Sequence, residues 1–350
     1  MDNDGLFRIL DNIKESDTKN FKDSSKHDRV LIIDSLNLFL RNFSMLNYVN
    51  PEGVHVGGLG GFLKSLGSLV NTLTPTSVYI VFDGEGSSTN RKNLLPEYKS
   101  NRNLNRITNW NTFESFEEEL DSKIGQIGRL VHYLRFLPVK IISLSKTEAD
   151  DVIAYLSTKI TNSHTEGKVY IVSRDRDFIQ LVNKNIILYD SMSKEFWDED
   201  LVRKFYKINP KNFIIYKTLL GDPSDKISGV KGLGKKKILS KFPEIQDVEL
   251  TMDCIYDISS KKYKDHEVYS RIILNIENLK RNYNLMDLKN PMLNDQQIKY
   301  LNGYIEEDVP PLDVKNFIGL YNIDQLGGVL RNLDYWLREN FSYLYNFNKN

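Results

Sequence analysis

RVLIID, residues 29–34, is apolar at its four middle positions, β-branched at three of them, and closes on an aspartate. Runs of the same kind follow at SVYIVFD (77–83), KVYIVSRD (168–175) and NIILYD (185–190). Such short apolar runs read as strands buried on both sides. Helical periodicity lies between several of them, as in Phe62–Leu73 and Asp151–Ile160. Strand and helix in alternation predict an α/β fold with a mainly parallel central sheet flanked by helices. Each run closes on an aspartate, and three of these, Asp34, Asp83 and Asp175, are the site candidates. Ligands of open α/β sheets bind at the carboxyl ends of the strands, so acids repeated there point to a site.

KTEADDVIAYLSTKI (146–160) extends the pattern. Val152, Leu156 and Ile160 mark an amphipathic helix, while Glu148, Asp150 and Asp151 crowd its first turn. A capping box from Thr147 to Asp150, helped by the helix dipole, accounts for that crowding on its own. The acids at three strand ends favour a shared site instead. GDPSDKISGVKGLGKKK (221–237) contributes Asp222 and Asp225, and Asp177 follows Asp175. So many carboxylates cannot stay ionised together in a poorly solvated place without counter-charge. Divalent cations supply it, and Mg²⁺ takes carboxylate oxygens while keeping several waters. The motifs offer no histidine or cysteine, which argues against zinc. Two such ions can activate water and stabilise a leaving oxygen in phosphodiester displacement.

Composition sets the frame. The chain of 350 residues has 47 basic and 47 acidic residues, so it is not a globally basic DNA-coating protein. Hydrophobic residues at 40% and charged residues at 27% describe a soluble globular chain with room for one large domain or two modest ones. Cys254 is the only cysteine, which excludes an intrachain disulfide. The polar N-terminus carries no secretory signal, and no apolar run is long enough for a membrane span. A reducing, cytoplasmic setting fits.

Six stretches in order then resemble one family, the flap endonucleases and 5′–3′ exonucleases. They are LIIDSLNLFLRNF, GVHVGGLGGFLKSL, VFDGEGSSTNRKNLLPEYKSNR, TEADDVIAYL, VYIVSRDRDFIQLV and LLGDPSDKISGVKGLGKKKIL, spread over about residues 29–242. The family includes the 5′-nuclease domain of bacterial polymerase I and phage enzymes, some called ribonuclease H. The resemblance implies a 5′-nuclease core with a helical arch, a helix–hairpin–helix and a helical C-terminal region. It implies that Asp34, Asp83, Glu148 and Asp150 hold one Mg²⁺, with Asp151 nearby, and that Asp175, Asp177, Asp225 and Asp222 serve a second; Mn²⁺ can substitute. The domains expected are a polar extension (1–28, with a short helix around Leu6–Ile13), a catalytic core (29–213, arch about 85–128), a hairpin element (214–242) and a helical region (243–350).

NRKNLLPEYKSNRNLNR (90–106) has five basic residues against one acid, and a solvated loop is the plain reading. By resemblance it is the arch that passes a single-stranded 5′ end. Lys99 and Arg102 would then reach the scissile phosphate, Arg91 and Lys92 would steer the strand, and Tyr98 would either stack on a base or serve structure. The stretch onward to Gly128, with Trp110 and Phe113, completes the arch. In GVKGLGKKK, Gly229, Gly232 and Gly234 would admit a phosphate to backbone N–H groups beside Lys231, Lys235, Lys236 and Lys237. The spacing is not that of a dinucleotide site. The family often binds K⁺ at this hairpin. His55 is read as a loop residue rather than a phosphate contact. The C-terminal region would clamp duplex DNA or dock a replication protein such as a single-strand-binding protein.

The expected activity is Mg²⁺-dependent cleavage near the 5′ end of flapped, nicked or RNA-primed DNA during replication, by a stand-alone monomeric enzyme. The source would be a bacterium or a phage-infected cell, with the wording LPEYKSNR leaning to phage. A PIN-like ribonuclease and a non-cleaving DNA-binding protein are the rivals.

Overall fold

The computed structural model describes residues 24–103 and 106–349. Most of the polar extension, with the helix expected around Leu6–Ile13, lies outside the described residues. The chain runs β1 (Arg29–Asp34), α1 (Ser35–Met45), α2 (Gly57–Leu73), β2 (Ser77–Phe82), α3 (Thr89–Leu94), α4 (Phe116–Leu134), β3 (Lys140–Ser143) and α5 (Ala149–Ser163). It continues with β4 (Lys168–Val172), β5 (Ile186–Asp190), β6 (Glu195–Trp197), α6 (Glu199–Tyr206), α7 (Phe213–Leu220) and α8 (Lys235–Lys241). The remaining helices are α9 (Met252–Lys261), α10 (Glu267–Leu274), α11 (Ile276–Met286), α12 (Asp295–Glu306), α13 (Val314–Ile323) and α14 (Leu333–Phe341).

The strands form one sheet in the order β3-β2-β1-β4-β5-β6. All neighbours are parallel except β5 and β6, which pair antiparallel. The expected α/β fold is therefore present, with two strands that the sequence reading did not mark, β3 and β6. Strand side chains alternate faces, and each face has its own core. Val30, Ile32, Val169 and Ile171 pack against α5, α7 and the helices from α8 to α12. Leu31, Ile33, Val78 and Ile80 pack against α1, α2, α4, α13 and α14. The C-terminal helices thus complete both layers.

One expectation shifts. The arch was taken to run to Gly128, but α4 packs on α2, with Gln126 Oε1 accepting the Leu59 N–H at 3.0 Å. From Phe116 onward the segment belongs to the body. His55 is buried, bonded to the Leu46 carbonyl at 2.8 Å and set edge-on against Phe43 and Phe113.

Close packing of α14 on α2 depends on a glycine. A Cβ at Gly67 would stand 2.4 Å from Trp336 Nε1, inside any van der Waals limit. Gly67→Val should cost about 1–3 kcal/mol through overpacking. A lowered melting temperature, with faster proteolysis around residues 325–345, checks it.

Candidate active site

The carboxyl edge of the sheet gathers the acids because β1, β2 and β4 are parallel neighbours and each delivers one. Asp34 ends β1 and caps α1, accepting the Asn37 N–H at 3.3 Å and the Ser173 hydroxyl at 2.8 Å. Asp83 follows β2 and accepts the Ala149 N–H at 2.8 Å. That bond, rather than a Thr147 cap, serves the start of α5, and Thr147 instead accepts from Gln297 at 2.7 Å. Asp175 follows β4 and accepts the Asp177 N–H at 2.8 Å. Asp34, Asp83, Glu148, Asp150, Asp175, Asp177 and Asp225 line one cleft of about 330 Å³, together with Lys99.

Confinement tells on their protonation. Burial, with repulsion from Asp175 and Asp83, pushes the Asp34 carboxyl up to about 7 against its hydrogen bonds. Burial and the charges of Asp175 and Asp34 raise Asp150 well above the usual carboxylate range. Burial and Asp175 push Asp177 up to about 6, although Lys217 opposes them.

Two ammonium groups stand among the acids. Lys99 Nζ is 2.9 Å from Glu148 Oε2. Lys217 Nζ lies 2.7 Å from Asp177 Oδ1 and 2.6 Å from Asp222 Oδ2. Lys217 escaped the sequence reading because one lysine on an apolar helix, IIYKTLL, looks like a solvated residue. Held by Lys217 and Ser224, Asp222 sits below its ordinary range despite partial burial. It stands behind Asp177 rather than on the cleft wall.

Three assignments need correction. Asp151 is buried and bonded by the Arg91 guanidinium at 2.6 and 3.0 Å, with the Met292 N–H at 3.0 Å, so its oxygens are not free for a metal. Arg91, committed to Asp151, the Leu285 carbonyl and Glu148, cannot steer a strand. Tyr98 is 4% exposed and donates to Glu148 at 3.1 Å, leaving no ring face for a base. Lys92 remains exposed. Arg102 falls in a 3₁₀ turn, Ser100–Asn103, and its side chain lies outside the described residues.

The hairpin is similarly divided. Gly232 has φ +81°, a conformation that glycine tolerates. Gly229 presses against the Leu220 backbone, and Gly234 caps α8. Lys231, Lys236 and Lys237 face solvent. Lys235 does not: it donates to the Phe205 carbonyl at 2.9 Å and lies over the Phe205 and Tyr206 rings. The Lys231 carbonyl accepts from Arg271 at 2.6 Å and the Val230 carbonyl from Leu233, so the hairpin has fewer free carbonyls for K⁺ than its sequence suggests.

Among the described residues no three His, Cys, Asp or Glu side chains close into a ready-made chelate. The donor set nevertheless suits a hard divalent cation, being all oxygen and partly desolvated. Glu148 Oε1 is buried with no hydrogen-bond partner. No helix among the described residues is long and apolar enough to cross a membrane.

A mostly parallel α/β sheet with acids and lysines at its carboxyl edge defines a class of hydrolase acting on phosphodiesters. The model of the 5′–3′ exonuclease N-terminal resolvase-like domain matches residues 29–207, and the chain belongs to that family of nucleases. It is 28% identical over 244 residues to the 5′–3′ exonuclease of Buchnera aphidicola, covering 69% of this chain and 80% of that one. It is 29% identical to DNA polymerase I of Borreliella burgdorferi, spanning 74% of this chain but 26% of the polymerase. The fold is similar to that of the bacteriophage T5 flap endonuclease, solved as a pseudo-enzyme-product complex with DNA and metal ions. The TM-score is 0.59 at 20% identity, covering 85% of this chain and 99% of that one.

Two outcomes follow from the charges. Removing the Asp150 charge relieves repulsion, so Asp150→Asn should raise the melting temperature of the metal-free protein by at least about 2 °C at pH 8. A carboxyl raised in the folded state makes stability fall as pH rises from the unfolded value to the folded one. The gain should therefore shrink toward pH 4, as scanning calorimetry across that range would record. Arg91→Ala leaves Asp151 buried and unpaired and should cost about 3–5 kcal/mol. Denaturant unfolding measures that loss, and Arg91→Lys should restore only part of it.

Proposed function

We propose that this protein is a divalent-metal-dependent, structure-specific 5′-nuclease that hydrolyses phosphodiester bonds near the 5′ end of branched, nicked or RNA-primed DNA. The observation that carries the reading is the convergence of seven acids and Lys99 on one cleft at the carboxyl edge of the sheet. Asp34, Asp83, Glu148 and Asp150 would hold one ion, and Asp175, Asp177 and Asp225 a second, with Asp222 acting through Lys217. Mg²⁺ fits such hard donors, and Mn²⁺ could replace it. When bound, these ions supply an activated water and charge neutralisation at the phosphate.

The protein's own residues do the rest. Lys99, paired with Glu148 across 2.9 Å, stands where its ammonium can turn from the carboxylate to a phosphate oxygen as charge builds. Lys217 keeps Asp177 and Asp222 ionised and fixed in direction. Arg91 locks Asp151 and Glu148, so the start of α5 cannot swing when substrate enters. Exposed Lys231, Lys236 and Lys237 would bind duplex phosphates without reading sequence. Primer and flap removal in replication is the work this substrate class implies.

The test is cleavage of a 5′-labelled flap DNA with Mg²⁺, with EDTA, and by Asp175→Asn. Products near the junction should appear with Mg²⁺ alone and vanish in the variant. Lys99→Ala should lower kcat by about 10²–10³. Binding without cleavage under any divalent ion would mark a DNA-binding protein instead.

A further inference from the structure

Tyr98 is not available for base stacking, yet an aromatic ring is offered to solvent 12 residues further along the chain. Trp110 is 75% exposed, the most open aromatic side chain among the described residues. Its turn is not a loose one. The fully buried Glu119 carboxylate accepts the N–H groups of Thr108 at 2.7 Å and Asn109 at 3.4 Å, and pairs with Lys123. Asn109, itself buried, donates to the Phe43 carbonyl at 3.0 Å, and Thr108 meets Ser44 at 3.2 Å. Phe113 stacks on Phe43 at 5.5 Å with ring planes 4° apart. The residues on either side of Trp110 are thus fastened to the end of α1, and the indole alone is left bare.

The same helix leads to the acids. α1 starts after Asp34, and its Leu36, Asn37 and Leu40 line the acidic cleft. From Asp34 to Ser44 the helix advances ~15 Å, at ~1.5 Å per residue. Trp110 therefore stands a few nucleotides from the cleft along the α1 wall. Charge changes sign there too. Exposed Lys92 and Arg106 precede the turn, whereas Glu114, Glu117, Glu118 and Asp121, all exposed, follow it. A polyanion drawn along the basic side meets repulsion immediately past the indole.

We propose that Trp110 is a stacking platform for one nucleobase of the substrate strand, fixing how far that strand advances relative to the acidic cleft. The proposal rests on the nuclease reading above. An indole face accepts any base, so the contact sets position and not sequence. Rigid mounting means that little freedom is lost when the base arrives.

The test uses the full chain and a 5′-flap DNA, together with a series in which a single abasic residue is moved through the junction. Trp110→Ala should raise KM about 5- to 100-fold with little change in kcat at saturation, and Trp110→Phe should recover most of it. One abasic position should raise the wild-type KM by a similar factor yet add nothing to Trp110→Ala, as expected of two partners in one contact. Indole emission, read as the difference between wild type and Trp110→Phe, should be quenched by the same DNA in EDTA. Equal losses at every abasic position, an unchanged KM in Trp110→Ala, or unquenched emission would each overturn the proposal and leave the indole for a protein partner. If the wild type fails to cut, the nuclease reading falls, while quenching still decides the stacking.

Discussion

Like charges held together at low solvation are the constraint on which this architecture turns. Parallel strands β1, β2 and β4 bring Asp34, Asp83 and Asp175 to one edge, and α5 and the 221–228 turn add more. Burial and mutual repulsion raise Asp34, Asp150 and Asp177, so the folded chain carries a standing electrostatic cost there. Three cations from two segments limit it. Lys99 holds Glu148, Lys217 bridges Asp177 and Asp222, and Arg91 takes Asp151. Arg91 and Lys99 stand on the arch base and Lys217 on α7, so any movement of either is felt electrostatically by the acids.

Much of the frame was legible. RVLIID and NIILYD fall within a residue of β1 and β5, because runs buried on both faces must be apolar throughout. The strand-end acids stood out since an open parallel sheet has only one chemically useful edge. The less legible parts share a physical cause, which is that one-dimensional patterns carry no depth. KIIS at 140–143 is too short to rise above its surroundings, and β6 spans three residues. Arg91 and Tyr98 sit in a segment that reads as a basic loop, yet their partners lie 60 and 50 residues further on. Lys217 was invisible for the same reason, as its meaning depends on Asp177, 40 residues earlier in the chain.

The arch base also behaves differently from a flexible cover. Leu95 and Tyr98 pack with Ile214, Ile227, Leu285 and Met286, so the chain between Asp83 and Lys99 is rooted in the same body as α7 and α11. Lys99 is therefore presented to the cleft from a fixed root.

Because α13 and α14 complete the core beside α2, the protein has a timing problem while it is being made. The apolar face of α2 ends at Leu73, and the last of its partners, α13 and α14, begin at Val314, some 240 residues later. At ~5–20 residues per second a ribosome needs roughly 10–50 s to supply them. During that interval Leu66, Leu69, Val70 and the floor at Gly67 await Trp336 and Leu337. The apolar floor of α2 is accordingly open to chaperone capture until α14 has been made.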